Sequence, residues 1–354
     1  MANYYKKPTK STLLFRWIVL VVCLLAIFAA GWYAIGYINR AVSPAPTTTS
    51  VANTGATPTG SNSGSTSSLP PISQYSVGYQ MFALSETTAT GIRNIPTLLC
   101  FPTLANSTTP AMAYGPFPFV VFSQGFDISY KSYMGLIDYW VQNGFVVAVP
   151  QYPFTDPSYS AGVLRSDIVN HPADLSFVID YFKNYFQAPG EFHLLINNNE
   201  IGAAGQSDGG DVTLASTTDS VYKDPQIKAA VLLSAAEYSA FSGKYFSASS
   251  VPMYISQGTS DTVNPPYCSI QIYDSAGPPK YYVELFGADH LEAYTQNNSY
   301  STVVDQTSTT FLEQYLAGKN VISNLQSQAN VSNVSTLVTS SYITPTNTNC
   351  PGAP

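Results

Sequence analysis

The chain has 354 residues, 45% of them hydrophobic and only 10% charged, with a formal net charge of −7. That length and apolar content support one substantial domain with extra segments and exclude a disordered chain, since aromatic and β-branched residues are plentiful. All 21 acidic residues lie beyond Arg40, against nine of the 14 basic ones, which argues against nucleic acid or an anionic membrane surface as a partner.

In chain order, residues 1–16 form a basic N-terminus with Lys6, Lys7, Lys10 and Arg16. Residues 17–38 follow as an uncharged apolar run of 22 residues, long enough to cross a bilayer as a helix at about 1.5 Å per residue. The flanking cations predict that the N-terminus stays in the cytoplasm and the rest of the chain lies outside the cell. A cleaved signal peptide ending near Ala41-Val42-Ser43 is the alternative and makes the protein secreted; the long core and the Trp32-Tyr33 pair favour an uncleaved anchor. Cys23 lies within the run and takes no role.

Residues 39–71 are Ser/Thr/Pro-rich and uncharged after Arg40, as in a flexible, O-glycosylated stalk. Sequons starting at Asn106, Asn297, Asn330 and Asn333 fit a glycoprotein outside the cell. Outside the apolar run, Cys100, Cys268 and Cys350 leave an odd number; one disulfide is expected, and Cys268–Cys350 is the pairing to test. A domain of low charge, rich in Tyr, Ser and Thr, suits an acidic exterior, where protonated carboxylates leave little net charge.

From residue 72 short apolar runs alternate with amphipathic stretches. Residues 75–84 and 95–101 are expected as antiparallel strands, and 117–122 and 145–149 as buried strands around a helix over 130–142 that Asn143-Gly144 ends. A second helix opens at Asn170-His171-Pro172, with Leu175, Val178, Ile179, Phe182 and Phe186 on one face. Further strands are expected at 200–204, 227–233, 251–256 and 280–286, with a last helix near 308–316. This alternation predicts an α/β domain over 72–325 with a mostly parallel central sheet and helices on both faces. Residues 326–354 read as an Asn/Ser/Thr-rich tail, with Val321, Ile322 and Leu325 packing just ahead of it.

Gly205-Gln206-Ser207-Asp208-Gly209 matches G-x-S-x-G between an expected strand and an expected helix, the setting of a nucleophile on a sharp turn. A serine needs a base, and the chain offers only His171, His193 and His290. His171 sits at a helix entry and His193 in a surface loop, whereas His290 follows the strand at 280–286 and its turn. Asp261, after the strand at 251–256, is the acid that orients it; Asp289 is the adjacent rival. The oxyanion donors are read as the backbone N–H groups of Asp208 and Phe126, the latter in Ser123-Gln124-Gly125-Phe126. Gln124, Tyr152 and Phe154 are candidate substrate-binding residues, since residues 152–164 are placed to overhang the site. No Cys/His cluster suggests a metal site.

Val121-Phe122-Ser123-Gln124-Gly125-Phe126, His171-Pro172-Ala173-Asp174-Leu175, residues 205–210, Gln257-Gly258-Thr259-Ser260-Asp261 and Gly287-Ala288-Asp289-His290 occur in that order. The set, spanning roughly 75–325, resembles the α/β-hydrolase superfamily. Within it, the resemblance is to the branch of dienelactone-hydrolase-like, platelet-activating-factor-acetylhydrolase-like, chlorophyllase-like and polyester-hydrolase-like esterases. It implies the α/β-hydrolase fold and a serine esterase with Ser207 as nucleophile, His290 as base and Asp261 as acid, with no metal or organic cofactor. The substrate is expected to be a small-molecule, lipid or polymeric ester. Gln124-Gly125 departs from the His-Gly common in that branch. A peptidase or amidase on the same triad, or a non-catalytic surface or adhesion module retaining the fold, are the alternatives.

Overall fold

A computed structural model describes residues 73–159, 161–247, 250–338 and 350. The apolar run at 17–38 and the stalk at 39–71, with the topology expected of them, lie outside the described residues. Among the described residues no helix is long and apolar enough to cross a membrane.

Thirteen-residue strands β1 (Ser76–Thr88) and β2 (Gly91–Thr103) open the domain as an antiparallel pair, Ser76 lying opposite Thr103. Both run past the expected bounds, because pairing across a tight turn at Ala89-Thr90 sustains polar residues that carry no apolar signal. The remaining strands are β3 (Phe117–Ser123), β4 (Val146–Pro150), β5 (Ile196–Gln206), β6 (Ile227–Leu233), β7 (Met253–Gly258), β8 (Lys280–Leu285) and β9 (Ser335–Val338). They form one sheet in the order β1-β2-β4-β3-β5-β6-β7-β8-β9. Neighbours from β4 through β8 run parallel, while β2 on β4 and β9 on β8 are antiparallel. The expected α/β architecture with a mostly parallel sheet is therefore observed.

Every residue of β3 and β4 is buried, as in strands covered on both faces. Val120 and Phe122 face α1 (Met134–Gln142) and α6 (Ser299–Tyr315), joined there by the short helices α5 (Glu292–Thr295) and α7 (Ser323–Ala329). Phe119 and Val121 face the opposite layer, with α2 (His171–Gln187) and α3 (Asp208–Thr218). Leu214 of α3 also packs with Ile272 and Tyr273 of α4 (Pro266–Ser275). The five apolar residues expected on one face of α2 are all buried.

Two features extend beyond the sequence reading. Helix α6 starts at Ser299 because Asn298 and Ser301 form a reciprocal capping box, Ser301 N–H donating to Asn298 Oδ1 at 2.9 Å and Asn298 N–H to Ser301 Oγ at 3.0 Å. Past residue 325, where a tail was expected, α7 and β9 continue the domain, and Cys350 is disulfide-bonded to Cys268. A four-residue strand has no periodicity to read, so only its pairing with β8 reveals it.

The sheet order positions the site. After β3 the chain crosses to β4 on one side and returns to β5 on the other, so the crossovers diverge between β3 and β5. That divergence leaves a crevice beyond the carboxyl ends of those strands. The loop after β3 and the residue after β5 border it.

Candidate active site

Ser207 follows β5 directly, with φ 56° and ψ −127°. This left-handed backbone is unfavourable for a non-glycine residue by about 1–3 kcal/mol, so the surroundings must impose it. Its N–H donates to Leu233 O at 2.9 Å and its carbonyl accepts from Asp211 N–H at 2.9 Å. The flanking glycines are steric necessities. A Cβ at Gly205 would lie 2.1 Å from Gly209 O, and one at Gly209 would lie 2.0 Å from Ser123 O.

The Ser207 hydroxyl lies 2.8 Å from His290 Nε2, and His290 Nδ1 lies 2.8 Å from Asp261 Oδ2. Asp261 Oδ2 also accepts from Gln257 Nε2 at 2.9 Å, while Oδ1 accepts from Val263 N–H at 2.9 Å and Asn264 N–H at 3.0 Å. With Asp261 serving only as acceptor, the proton on the resting imidazole belongs at Nδ1, leaving Nε2 free to accept from the Ser207 hydroxyl. Asp289, the rival acid, instead caps the next turn through Leu291 N–H and Glu292 N–H, each at 2.8 Å. Those backbone bonds hold its carboxyl below the ordinary carboxylate range. Three side chains from three strand ends thus form one chain of hydrogen bonds.

The expected oxyanion donors frame the serine. Gly125 N–H donates to Tyr133 Oη at 3.2 Å and Asp127 N–H to Thr155 O at 2.9 Å, pinning the loop on both sides of Phe126. The N–H groups of Phe126 and of Asp208, first residue of α3, have no acceptor among the described residues. Asp208 brings a carboxylate close to that position, which by itself opposes a developing oxyanion. Arg165 forks onto it, with Nη2 at 2.7 Å and Nε at 2.9 Å, and lies over the Tyr238 ring at 4.9 Å. The ion pair cancels that charge where the helix N-terminus favours an anion.

Of the expected substrate-binding residues, Gln124 and Tyr152 are buried and Phe154 is half-buried. Gln124 is buried, and its Nε2 donates to Asp156 Oδ2 at 3.0 Å. Tyr152 is also buried; its hydroxyl pairs with Ser123 Oγ at 2.9 Å and its ring stacks on His171 at 4.3 Å. Both side chains brace the segment after β4 from below, and Tyr152 also lines a cavity of about 210 Å³ with Pro96, Gln151 and Tyr159. Phe154 remains half-buried against Tyr159, with ring centroids 4.5 Å apart. The residues the sequence reading missed are Arg165, Tyr133 and Gln206. Arg165 carried one signal, as one of few cations in an uncharged stretch; the other two carried none.

His193 lies in an exposed loop, as expected. His171 belongs to the one group among the described residues with metal-ligand reach, beside Asp167 and Asp174. Arg93 already supplies a cation there. Its guanidinium bonds Asp167 at 2.7 and 3.1 Å and Asp174 at 2.6 and 2.7 Å, which ties β2 to the start of α2. The chain matches no protein-family model and no curated protein.

Proposed function

We propose that the chain is a serine hydrolase of the α/β-hydrolase type that cleaves carboxylic esters outside the cell, tethered by residues 17–38. The reading rests on the continuous Ser207–His290–Asp261 hydrogen-bond chain, with two unclaimed N–H groups beside the nucleophile. The sheet order and the strand-end positions of all three residues support the same assignment.

Ser207 Oγ adds to the ester carbonyl carbon as its proton passes to His290 Nε2, and Asp261 stabilises the imidazolium. The carbonyl electron pair moves onto oxygen, which accepts from the N–H groups of Phe126 and Asp208. Collapse expels the alkoxide, which takes the proton from His290, and leaves Ser207 acylated. Water then repeats the sequence and releases the acid. The bond changes are complete with these groups and water.

The test is hydrolysis of short-chain p-nitrophenyl esters by the full chain, together with labelling by a fluorophosphonate. We expect turnover and a single adduct on Ser207. Absence of both overturns the reading, and much faster turnover of peptides than of esters replaces it with a peptidase.

A further inference from the structure

Gln206, the unconstrained second residue of Gly205-Gln206-Ser207, is fully buried in a polar setting that the triad does not use. Its Nε2 donates to the backbone carbonyl of His290 at 2.9 Å. Its Oε1 accepts from the Tyr133 hydroxyl at 2.8 Å, and that hydroxyl accepts from Gly125 N–H at 3.2 Å. Every group acts in a role its chemistry permits, so the bonds form one directional chain from Gly125 N–H through Tyr133 and Gln206 to His290 C=O. This chain links the loop bearing the expected oxyanion donor to the loop bearing the base. It crosses directly beneath the nucleophile.

The fit around Gly125 is an independent sign that the loop rests on this pair. A Cβ there would lie 2.8 Å from Gln206 Oε1, 3.1 Å from Tyr133 Oη and 3.3 Å from Ser207 Cβ. The backbone must ride against the Tyr133–Gln206 bond for the next N–H, that of Phe126, to reach the space beside Ser207. Tyr133 itself is held by ring contacts to Phe122 at 5.0 Å, so its hydroxyl has little freedom.

We infer that Tyr133 and Gln206 are positioning residues that hold the oxyanion loop and the His290 loop in register across the nucleophile turn, an inference that rests on the esterase reading. Tyr133 touches no reacting atom, and Gln206 comes near one only at the outer limit of hydrogen bonding, its Nε2 lying 3.4 Å from His290 Nε2. Their effect is to keep one N–H and one imidazole at hydrogen-bond distance from a single point, where misplacement by an ångström is enough to slow reaction. The chain is shielded from water, so a lost link is not replaced by solvent.

Tyr133→Phe removes one oxygen, and Gln206→Met keeps the side-chain length while removing all three amide contacts, to Tyr133 Oη, His290 O and His290 Nε2. For each we expect kcat to fall by about tenfold to a hundredfold, somewhat less than deletion of a direct oxyanion donor, with KM changed less than about threefold. Inhibition by a trifluoromethyl ketone, whose adduct carries the oxyanion, weakens in proportion to kcat. The double variant loses no more than about the larger single loss, because both substitutions cut one chain. A purely structural role lowers the unfolding midpoint and leaves kcat and ketone affinity unchanged. The substitutions lie on different elements, so either variant that folds is a sufficient test. A folded variant with kcat within about twofold of the parent overturns the positioning role while the parent's activity stands. A parent chain that neither hydrolyses esters nor is labelled at Ser207 overturns both readings.

Discussion

Ser207→Ala lowers kcat for ester hydrolysis by about 10⁴- to 10⁶-fold and leaves the fold intact, the range expected when a nucleophile is removed from a coupled triad. His290→Ala falls by a similar factor, and the double variant falls little further, since each substitution disables the same proton transfer. Asp261→Asn is more diagnostic. Four donors converge on the two oxygens of Asp261: the N–H groups of Val263 and Asn264, Gln257 Nε2 and His290 Nδ1. An amide keeps its oxygen toward the two backbone N–H groups and turns its NH₂ toward His290, giving up the bond from Gln257 Nε2. That forces the proton to Nε2, where it blocks transfer from Ser207, and kcat falls about 10⁴-fold with geometry preserved. Ser207→Gly is as inactive as Ser207→Ala but more stable, by about 1 kcal/mol or more, because glycine accepts φ 56° without strain. Measured activities, fluorophosphonate labelling and urea midpoints check these outcomes. An Asp261→Asn variant within tenfold of the parent refutes the role given to that carboxylate.

The triad was legible because its geometry is imposed locally. Gly205 and Gly209 stand where a Cβ would meet backbone, so the strained turn at Ser207 leaves its mark in residue type. Asp261 and His290 each follow an apolar strand, and in a parallel sheet strand ends converge on one edge. The supports were not legible, because they are pairings between distant residues with no local mark. Tyr133 meets Gln206 73 positions away, and Arg93 meets Asp174 81 positions away. Gln124 and Tyr152 illustrate the same difficulty. Placement in loops beside the site suggested contact with substrate, yet whether a loop side chain points outward depends on what lies beneath it. Here Asp156, Ser123 and His171 draw the two side chains inward.

The second large effect is on stability against pH, and its direction follows from how the carboxyls are housed. Asp305 lines a cavity of about 390 Å³ with Lys131, Tyr294 and Ser301, and burial pushes its carboxyl up to about 7. Burial likewise raises Glu86, Asp138, Glu200, Glu237 and Glu284, and Asp211 is raised strongly by burial and by the charge of Asp208. For each of these the folded chain holds its proton to higher pH than the unfolded chain. The folded state therefore binds more protons above the ordinary carboxylate range, and stability falls as pH rises through the folded values. For Asp305 that window runs from about pH 4 to about pH 7.

Asp167 acts in the opposite sense: burial works against its charge, but hydrogen bonds from His171, Arg93 and Asn170 outweigh it and hold the carboxyl at about 2. Its contribution is lost only as pH falls from about 4 toward 2. The two limbs place maximum stability at about pH 4, with stability declining from there toward pH 8. Asp305→Asn matches the parent at pH 4, where the parent carboxyl is already neutral, and exceeds it at pH 8 by on the order of 1–2 kcal/mol. Urea midpoints at constant ionic strength check both statements, and a parent stability that is flat or rises from pH 5 to pH 8 refutes them. An acidic exterior was expected from low charge alone; the housing of these carboxyls is a separate reason for the fold to be more stable in acid, because the folded state retains protons that the unfolded chain releases.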